Sequence, residues 1–389
     1  MKINRFLPGF LLMAAFLNGC AGPVTVGVTN IPMPPEASAT RTPFLPVSDT
    51  PTIFTSETPT SPPTETATPA PTDTATLTST PTPSLRVNLE AVGDIMLART
   101  VSDQVHSHGS EIVFAGVQSV LDSADLLVGN LECAITTRTE RQPKSYTFAA
   151  PPETAQALVV AGFDVLSLAN NHAMDYGSQG LLDTRSTLSQ SGIASVGAGV
   201  NAAEAHAPVI LERNGLRLAF LAYVDVPEET GGFDTHTWNA TASQPGVAWA
   251  DLDQITTDIS AAKAQADVVV VQLHSGNEVG TYIPAVSPNQ RAEAHAAIDA
   301  GAALVIGSHP HILQTIEQYH GGLIAYSLGN FVFDNYLGTA NATIILRVVM
   351  TPAGVESYDW VPVLIENGLP RLAAETEAPA IGTLVAPKP

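Results

Sequence analysis

The sequence is poor in cysteine, in positive charge and in aromatic residues. Only 2 of its 389 residues are cysteine, too few for the disulfide framework on which small secreted scaffolds depend. The fold must therefore hold by burial of apolar surface. Lys and Arg number 16 against 37 Asp and Glu, giving a formal net charge of -21. Neutralising a phosphate backbone needs a basic face, so this balance argues against nucleic acid as a partner. The apolar stretch nearest the start, Phe6 to Leu17, is too short for a comfortable membrane span. Residues 1–85 differ so much from the remainder that the globular part shrinks to roughly 300 residues, the size of one large domain or two fused layers.

The N-terminal residues fall into distinct blocks. Lys2 and Arg5 precede the apolar stretch, as in an export signal. The stretch closes on Leu17-Asn18-Gly19-Cys20-Ala21, which resembles the lipobox of bacterial lipoproteins, in which the cysteine becomes the lipidated first residue; Asn18 departs from that pattern. Residues 1–20 are thus expected to be a lipoprotein signal peptide, with the mature chain held outside the cytoplasm by a lipid anchor. Residues 21–85 are dominated by Thr, Pro and Ser and have few side chains able to fill a core. They read as a disordered linker whose prolines favour an extended form, so roughly 60 residues would reach at most about 190 Å. Its hydroxyls would also suit O-glycosylation.

Beyond Leu85, runs rich in Val, Ile, Leu and Phe alternate with Ala-rich amphipathic stretches, an α/β pattern. Strands are expected at Val87–Val92, Leu126–Asn130, Val165–Leu168, Leu216–Tyr223, Val268–Leu273, Leu304–Ile306 and Leu323–Ser327, with a late antiparallel strand at Thr343–Met350. Helices are expected at Pro152–Ala161, Ser178–Ser191, Leu252–Ala264 and Asn289–Asp299, where apolar residues recur three and four apart. The globular domain is taken as 86–370, with an Ala- and Pro-rich tail at 371–389.

The chemistry lies at the ends of the apolar runs. Gly93-Asp94-Ile95-Met96, Gly129-Asn130-Leu131-Glu132, Ala169-Asn170-Asn171-His172, His274-Ser275-Gly276-Asn277-Glu278 and Ser308-His309-Pro310-His311 each close a strand with a carboxylate, amide or imidazole. In open α/β sheets, ligands gather outside the carboxyl ends of strands. Oxygen and nitrogen donors of this kind suit Zn, Mn, Fe or Mg, and no thiolate cluster competes. The alternate spacing of His309 and His311, with Pro310 between, predicts an extended backbone that points both rings to one face. Taken singly, Asp94 could cap a turn, Glu132 could be a solvated strand end, Asn170 and Asn171 could cap a helix, and any histidine could be structural. Their coincidence at five strand ends points to one shared site. His106, His108, His206, His236, His295 and His320 lack that context and are assigned no role; Cys133 reads as a small buried residue.

Together with Tyr326-Ser327-Leu328-Gly329-Asn330-Phe331, these motifs resemble the CapA-like capsule-synthesis family, in order, over about residues 87–335. That family is similar to the calcineurin-like metallophosphoesterases. The resemblance implies a four-layer αββα sandwich of two mixed sheets flanked by helices, with an active site holding one or two divalent ions such as Mn, Zn or Fe. It implies Asp94, Glu132, Asn171, His274, His309 and His311 as metal ligands, and His172 as the proton donor to the leaving group. Asp175, three residues on, would orient that imidazole. Two positions depart from the phosphoesterase pattern: Met96 stands where its first motif has histidine, and Asn130-Leu131-Glu132 replaces its second aspartate. The implied partner is an anionic envelope polymer, poly-γ-glutamate or a related one, with other capsule-synthesis subunits as further candidates. Two readings stay open: a surface-anchored metal-dependent hydrolase or transferase, and a non-catalytic tethering or assembly subunit on the same fold.

Overall fold

The structure, a computed structural model, describes residues 85–386 apart from 230, 279–284 and 335–337. The expected signal peptide, Cys20 and all of the linker but Leu85 lie outside the described residues.

The chain builds one sheet, leaves it to build a second, and returns. It begins with β1 (Val87–Ile95), β2 (Leu126–Leu131), β3 (Val165–Ser167) and β4 (Ala194–Val196), each parallel to the one before. Their near-unbroken apolar runs fit a parallel sheet covered on both faces. The second sheet comes next: β5 (Val209–Arg213), β6 (Leu216–Asp225), β7 (Val268–Ser275), β8 (Leu304–Ser308), β9 (Ile316–Tyr319) and β10 (Gly322–Ala325), in spatial order β9-β10-β8-β7-β6-β5. The chain then closes the first sheet with β11 (Asn330–Val332), β12 (Ala342–Thr351), β13 (Gly354–Glu366) and β14 (Leu369–Leu372). Here β11 runs parallel along the end of β1, while β12 runs antiparallel along its start.

Alternation along β6 shows how the layers stack. Leu218, Phe220, Ala222 and Val224 share a core with Leu89, Val92 and Leu126 of the first sheet. The intervening Ala219, Leu221 and Tyr223 pack instead with Ile255, Ile259, Ala294 and Ala297. A period of two sends successive residues to opposite faces, so the second sheet lies between the first sheet and two helices. The helices α1 (Arg99–His108), α2 (Ala155–Ala161) and α3 (Gly177–Gln190) join the first core through Val101, Leu158 and Leu181. The outer pair, α4 (Leu252–Lys263) and α5 (Pro288–Ala300), covers the second sheet. Ser287 and Gln290 form a capping box at the start of α5, and Gly301 ends it in the left-handed conformation. This is the four-layer sandwich that the resemblance implied, and each expected strand and helix has its counterpart. The boundary expected at residue 370 falls inside β14, because Leu372 pairs with Val363. Beyond it α6 (Ala378–Val385) buries Ile381 and Val385.

Register places the polar strand ends side by side. Asp94 pairs with Asn130 of β2 and with Asn330 of β11, and His274 of β7 pairs with Ser308 of β8. A register shift between Ala91 and Asp94 re-aims the end of β1. Glycine is required just there: a Cβ at Gly93 would stand 1.8 Å from the Gly329 carbonyl oxygen, and one at Gly307 2.0 Å from that of Tyr326.

Candidate metal centre

Two groups of donors share one carboxylate. Glu132, His274 and His309 form one, Asp94, Glu132 and His311 the other, and within each the ligand atoms lie within 4.8 Å of one another. All five side chains are buried. Neither oxygen of Glu132, nor Nδ1 of His309, has a hydrogen-bond partner among the described residues. Buried polar groups are normally satisfied, and an unpaired buried charge costs about 3–5 kcal/mol. A divalent cation would satisfy these atoms, and carboxylate with imidazole is the donor set that Zn, Mn or Fe takes. The cluster is thus competent to hold a divalent ion.

The electrostatics agree with that geometry. Burial, then the charges of Asp94 and Glu278, push the Glu132 carboxyl well above its usual range. Burial, then the neighbouring imidazoles, drive His274 and His309 well below theirs, which keeps them in the neutral form that binds metal. Burial also opposes the charged form of His311, but its hydrogen bond to Asp94 and the charges of Asp94 and Glu278 outweigh it and raise that group.

Amides set the ligand orientations. Asn130 donates from Nδ2 to Asp94 Oδ1 (2.8 Å), and its Oδ1 accepts from Asn170 Nδ2 (3.1 Å). His274 Nδ1 lies 2.9 Å from Ser308 Oγ, and its Nε2 lies 2.7 Å from Asn171 Oδ1. Asn171 is itself held because its Nδ2 donates to Glu229 Oε1 (2.8 Å). His311 Nδ1 lies 2.8 Å from Asn330 Oδ1.

Beside the cluster stands His172, whose Nδ1 lies 2.8 Å from Asp175 Oδ2 and whose Nε2 lies 4.0 Å from Glu132 Oε1. The Phe148 ring stacks on it at 4.1 Å, and the Phe148 backbone N–H donates to Asp175 Oδ2 (2.6 Å). Lys144, whose side chain is fully buried, donates from Nζ to Asp175 Oδ1 (2.7 Å), to Glu229 Oε1 (2.5 Å) and to the Asn171 carbonyl. One buried cation therefore steadies two neighbours from behind, His172 through Asp175 and Asn171 through Glu229. A proton on Nδ1, accepted by Asp175, leaves His172 Nε2 directed at the cluster.

A cleft of about 620 Å³ opens over these residues and is lined in part by Arg99, Tyr146, Phe148, His172, His309 and Phe333. Arg99 has φ of 56°, a left-handed conformation that costs a bulky side chain about 1–3 kcal/mol and is kept only where surrounding structure enforces it.

The structure brings all six expected ligands and the expected His172–Asp175 pair to one place. It corrects the backbone expected for two of them. His309 and His311 are not extended: their φ values are 98° and 57°, and their rings are 6.1 Å apart. Pro310 does keep His309 out of the α region, but the chain turns at both histidines. His309 therefore joins His274 while His311 joins Asp94, instead of the two chelating side by side. Met96 is fully buried, and its sulfur accepts the Ala98 N–H at 3.2 Å, so its side chain belongs to the core. Cys133 is likewise buried, and burial raises its thiol to about 12. Sequence reasoning missed Lys144, in a loop, and Glu229, on a two-residue strand that pairs with Phe233, as well as Arg99 and Asp334. Asn130 and Asn330 lie within the strand-end motifs, but nothing in the sequence gives either a role.

The layered fold and its polar strand ends set the class: an α/β protein with a buried carboxylate–histidine cluster that could hold a divalent cation. Residues 88–335 match the family described as Bacterial capsule synthesis protein PGA_cap, and the chain belongs to that family. It is 36% identical over 294 residues to the capsule biosynthesis protein CapA of Bacillus anthracis, covering 74% of this chain and 69% of that one. It is 35% identical over 282 residues to the PGA biosynthesis protein CapA of Bacillus subtilis, covering 72% of each. A solved structure of a novel phosphatase from Mycoplasma pneumoniae superposes with a TM-score of 0.44 at 10% identity, over 72% of this chain and 94% of that one.

Proposed function

We propose that the protein is a metal-dependent hydrolase or transferase of capsule polymer, acting outside the cytoplasm on poly-γ-glutamate or a related anionic polymer. The observation that carries this reading is Glu132, shared by two donor groups, unsatisfied, and facing His172. Asp94, Glu132 and His311 would hold one divalent ion, and Glu132, His274 and His309, with Asn171 beside them, a second. Mn, Zn or Fe fits these donors, and when bound such an ion polarises the group to be cleaved and acidifies a water. The remaining work falls to the chain. Asp175, held by Lys144 and the Phe148 N–H, keeps His172 in one tautomer. In its doubly protonated form His172 would give its Nε2 proton to the leaving group as the bond breaks, returning to the neutral imidazole with its proton on Nδ1. Phe148 covers one face of that imidazole and keeps water from it.

Cys20 would carry the lipid anchor, with the Thr/Pro/Ser-rich stretch as the stalk. Loss of metabolically incorporated lipid from a Cys20→Ser chain tests that part. A second reading, a tethering subunit without turnover, draws support from Met96, whose sulfur turns to the core where the phosphoesterase pattern has a ligand. The two separate on His172→Ala in the metal-loaded full chain. Turnover of γ-glutamyl polymer or a phosphoester in the parent, lost in the variant with metal retained, supports the enzyme. Parent protein that binds polymer without turning it over leaves the tethering subunit.

A further inference from the structure

We propose that Arg99 is the anion-recognition residue of the cleft, taking the free carboxylate of the polymer unit that flanks the bond held over Glu132 and His172. This rests on the reading of the substrate as a γ-linked glutamyl polymer. Each unit of such a polymer carries one free carboxylate on the carbon next to its amide nitrogen. A site for the bond thus has an anion beside it at a fixed short separation.

Arg99 stands at that separation. Its guanidinium lies 4.5 Å above the Phe148 ring, and Phe148 stacks on His172 at 4.1 Å. The cation and the imidazole are therefore one aromatic ring apart, both on the wall of the same cleft. Phe333 approaches the guanidinium at 5.9 Å from a second side. Asp334 fixes one end: it is buried, it accepts from Arg99 Nη2, and the Thr100 N–H and hydroxyl bind its other oxygen. That is the only hydrogen bond of the Arg99 guanidinium among the described residues, and the side chain is 34% exposed. A guanidinium has five N–H donors in a planar fork that matches a carboxylate bidentately. Packed beside two rings and pinned at one end, it offers its remaining N–H groups with less ordering left to do.

Charge makes the same point. Arg99 is the one Lys or Arg among the described residues lining the cleft, where Glu228, Glu229, Glu278 and Asp334 are also found. On a chain with net charge -21, a polyanion needs a positive anchor beside the metal donors.

The test compares a γ-glutamyl oligomer with its methyl ester, in which the free carboxylates are neutral. Binding and turnover of both are measured on the metal-loaded full chain as parent, Arg99→Lys and Arg99→Gln, with metal content checked in each. The parent is expected to prefer the acid oligomer, and Arg99→Gln to weaken acid binding by about 10–100-fold while leaving the ester unchanged. Arg99→Lys should recover only part, because a point charge lacks the fork. Acid binding unaltered in Arg99→Gln, or acid and ester weakened alike, overturns the role of Arg99 and leaves the proposed substrate standing. A metal-loaded parent that binds neither oligomer overturns both.

Discussion

Asp258 and Glu132 are both buried acids with histidine beside them, yet only one has its hydrogen bonds filled. Asp258, on α4, accepts from Gln254 Nε2 (2.7 Å) and the Tyr223 hydroxyl (3.1 Å), and lies 2.8 Å from His206 Nδ1. It borders a cavity of about 590 Å³ that Trp249 and His236 also line. Glu132 has none of this, although it is the more deeply buried of the two. The difference teaches what a buried histidine–carboxylate pair is worth as a sign of function. Where neighbours supply every donor, the pair is architecture, holding α4 to the second sheet. Where the neighbours are themselves acceptors, the deficit is left for something that arrives from outside.

The comparison can be broken in several ways. The largest effect is expected from His309→Ala with His311→Ala. Elemental analysis of the full chain should find metal in stoichiometric amount in the parent and almost none in the double variant. Chelator should then lower the parent's stability by about 4 kcal/mol, the gain from an ion at a thousandfold excess over its dissociation constant, and leave the variant where it was. Next comes Asp258→Ala, which should cost about 2–4 kcal/mol in denaturant unfolding by orphaning three donors, with metal content unchanged. Metal lost from that variant would erase the distinction between the two places. Glu132→Gln should have the opposite sign. In the ion-free protein at neutral pH it removes a carboxyl that folding holds well above its ordinary range, so stability should rise while metal binding falls. A destabilised ion-free variant would mean that Glu132 is structural after all.

The smallest effect sharpens the rule away from the cluster. Burial, then the adjacent Asp225, raises Glu293 on α5 to about 9. Between the ordinary carboxyl range and about pH 9 the unfolded chain has released a proton that the folded chain keeps, so stability falls as pH rises through that window. Glu293→Gln should flatten the decline between pH 5 and pH 8.5. Equal slopes for parent and variant in thermal melts would show that this acid is solvated.

The candidate ligands were legible because each ends an apolar run, and a run ending in Asp, Asn or His leaves few other places for its polar group. The strands themselves were legible for the same reason, since parallel strands covered on both faces read as unbroken hydrophobic stretches. Lys144 was not legible: its partners Asp175 and Glu229 come from a distant turn and a distant short strand, and only tertiary packing brings the three together. Nor was the turn at His309 and His311, because a histidine with positive φ is a product of its surroundings and not of its own preference. The helix at the C-terminus is hidden by its Ala and Pro composition, and only the packing of Ile381 and Val385 reveals it.

The route of the chain bears on when this centre comes into being. All six candidate ligands precede β11, yet Asp94 lies in register with Asn330, and His311 leans on the same amide. The strand that flanks β1 along its first half, β12, comes later still. A polypeptide halted after β10 would thus possess every donor yet lack the amide beside Asp94 and His311. The surroundings of Asp94 and His311 are therefore complete only after the chain has returned to the first sheet. Any proteolytic product lacking the last strands should be as empty of ion as the double histidine variant.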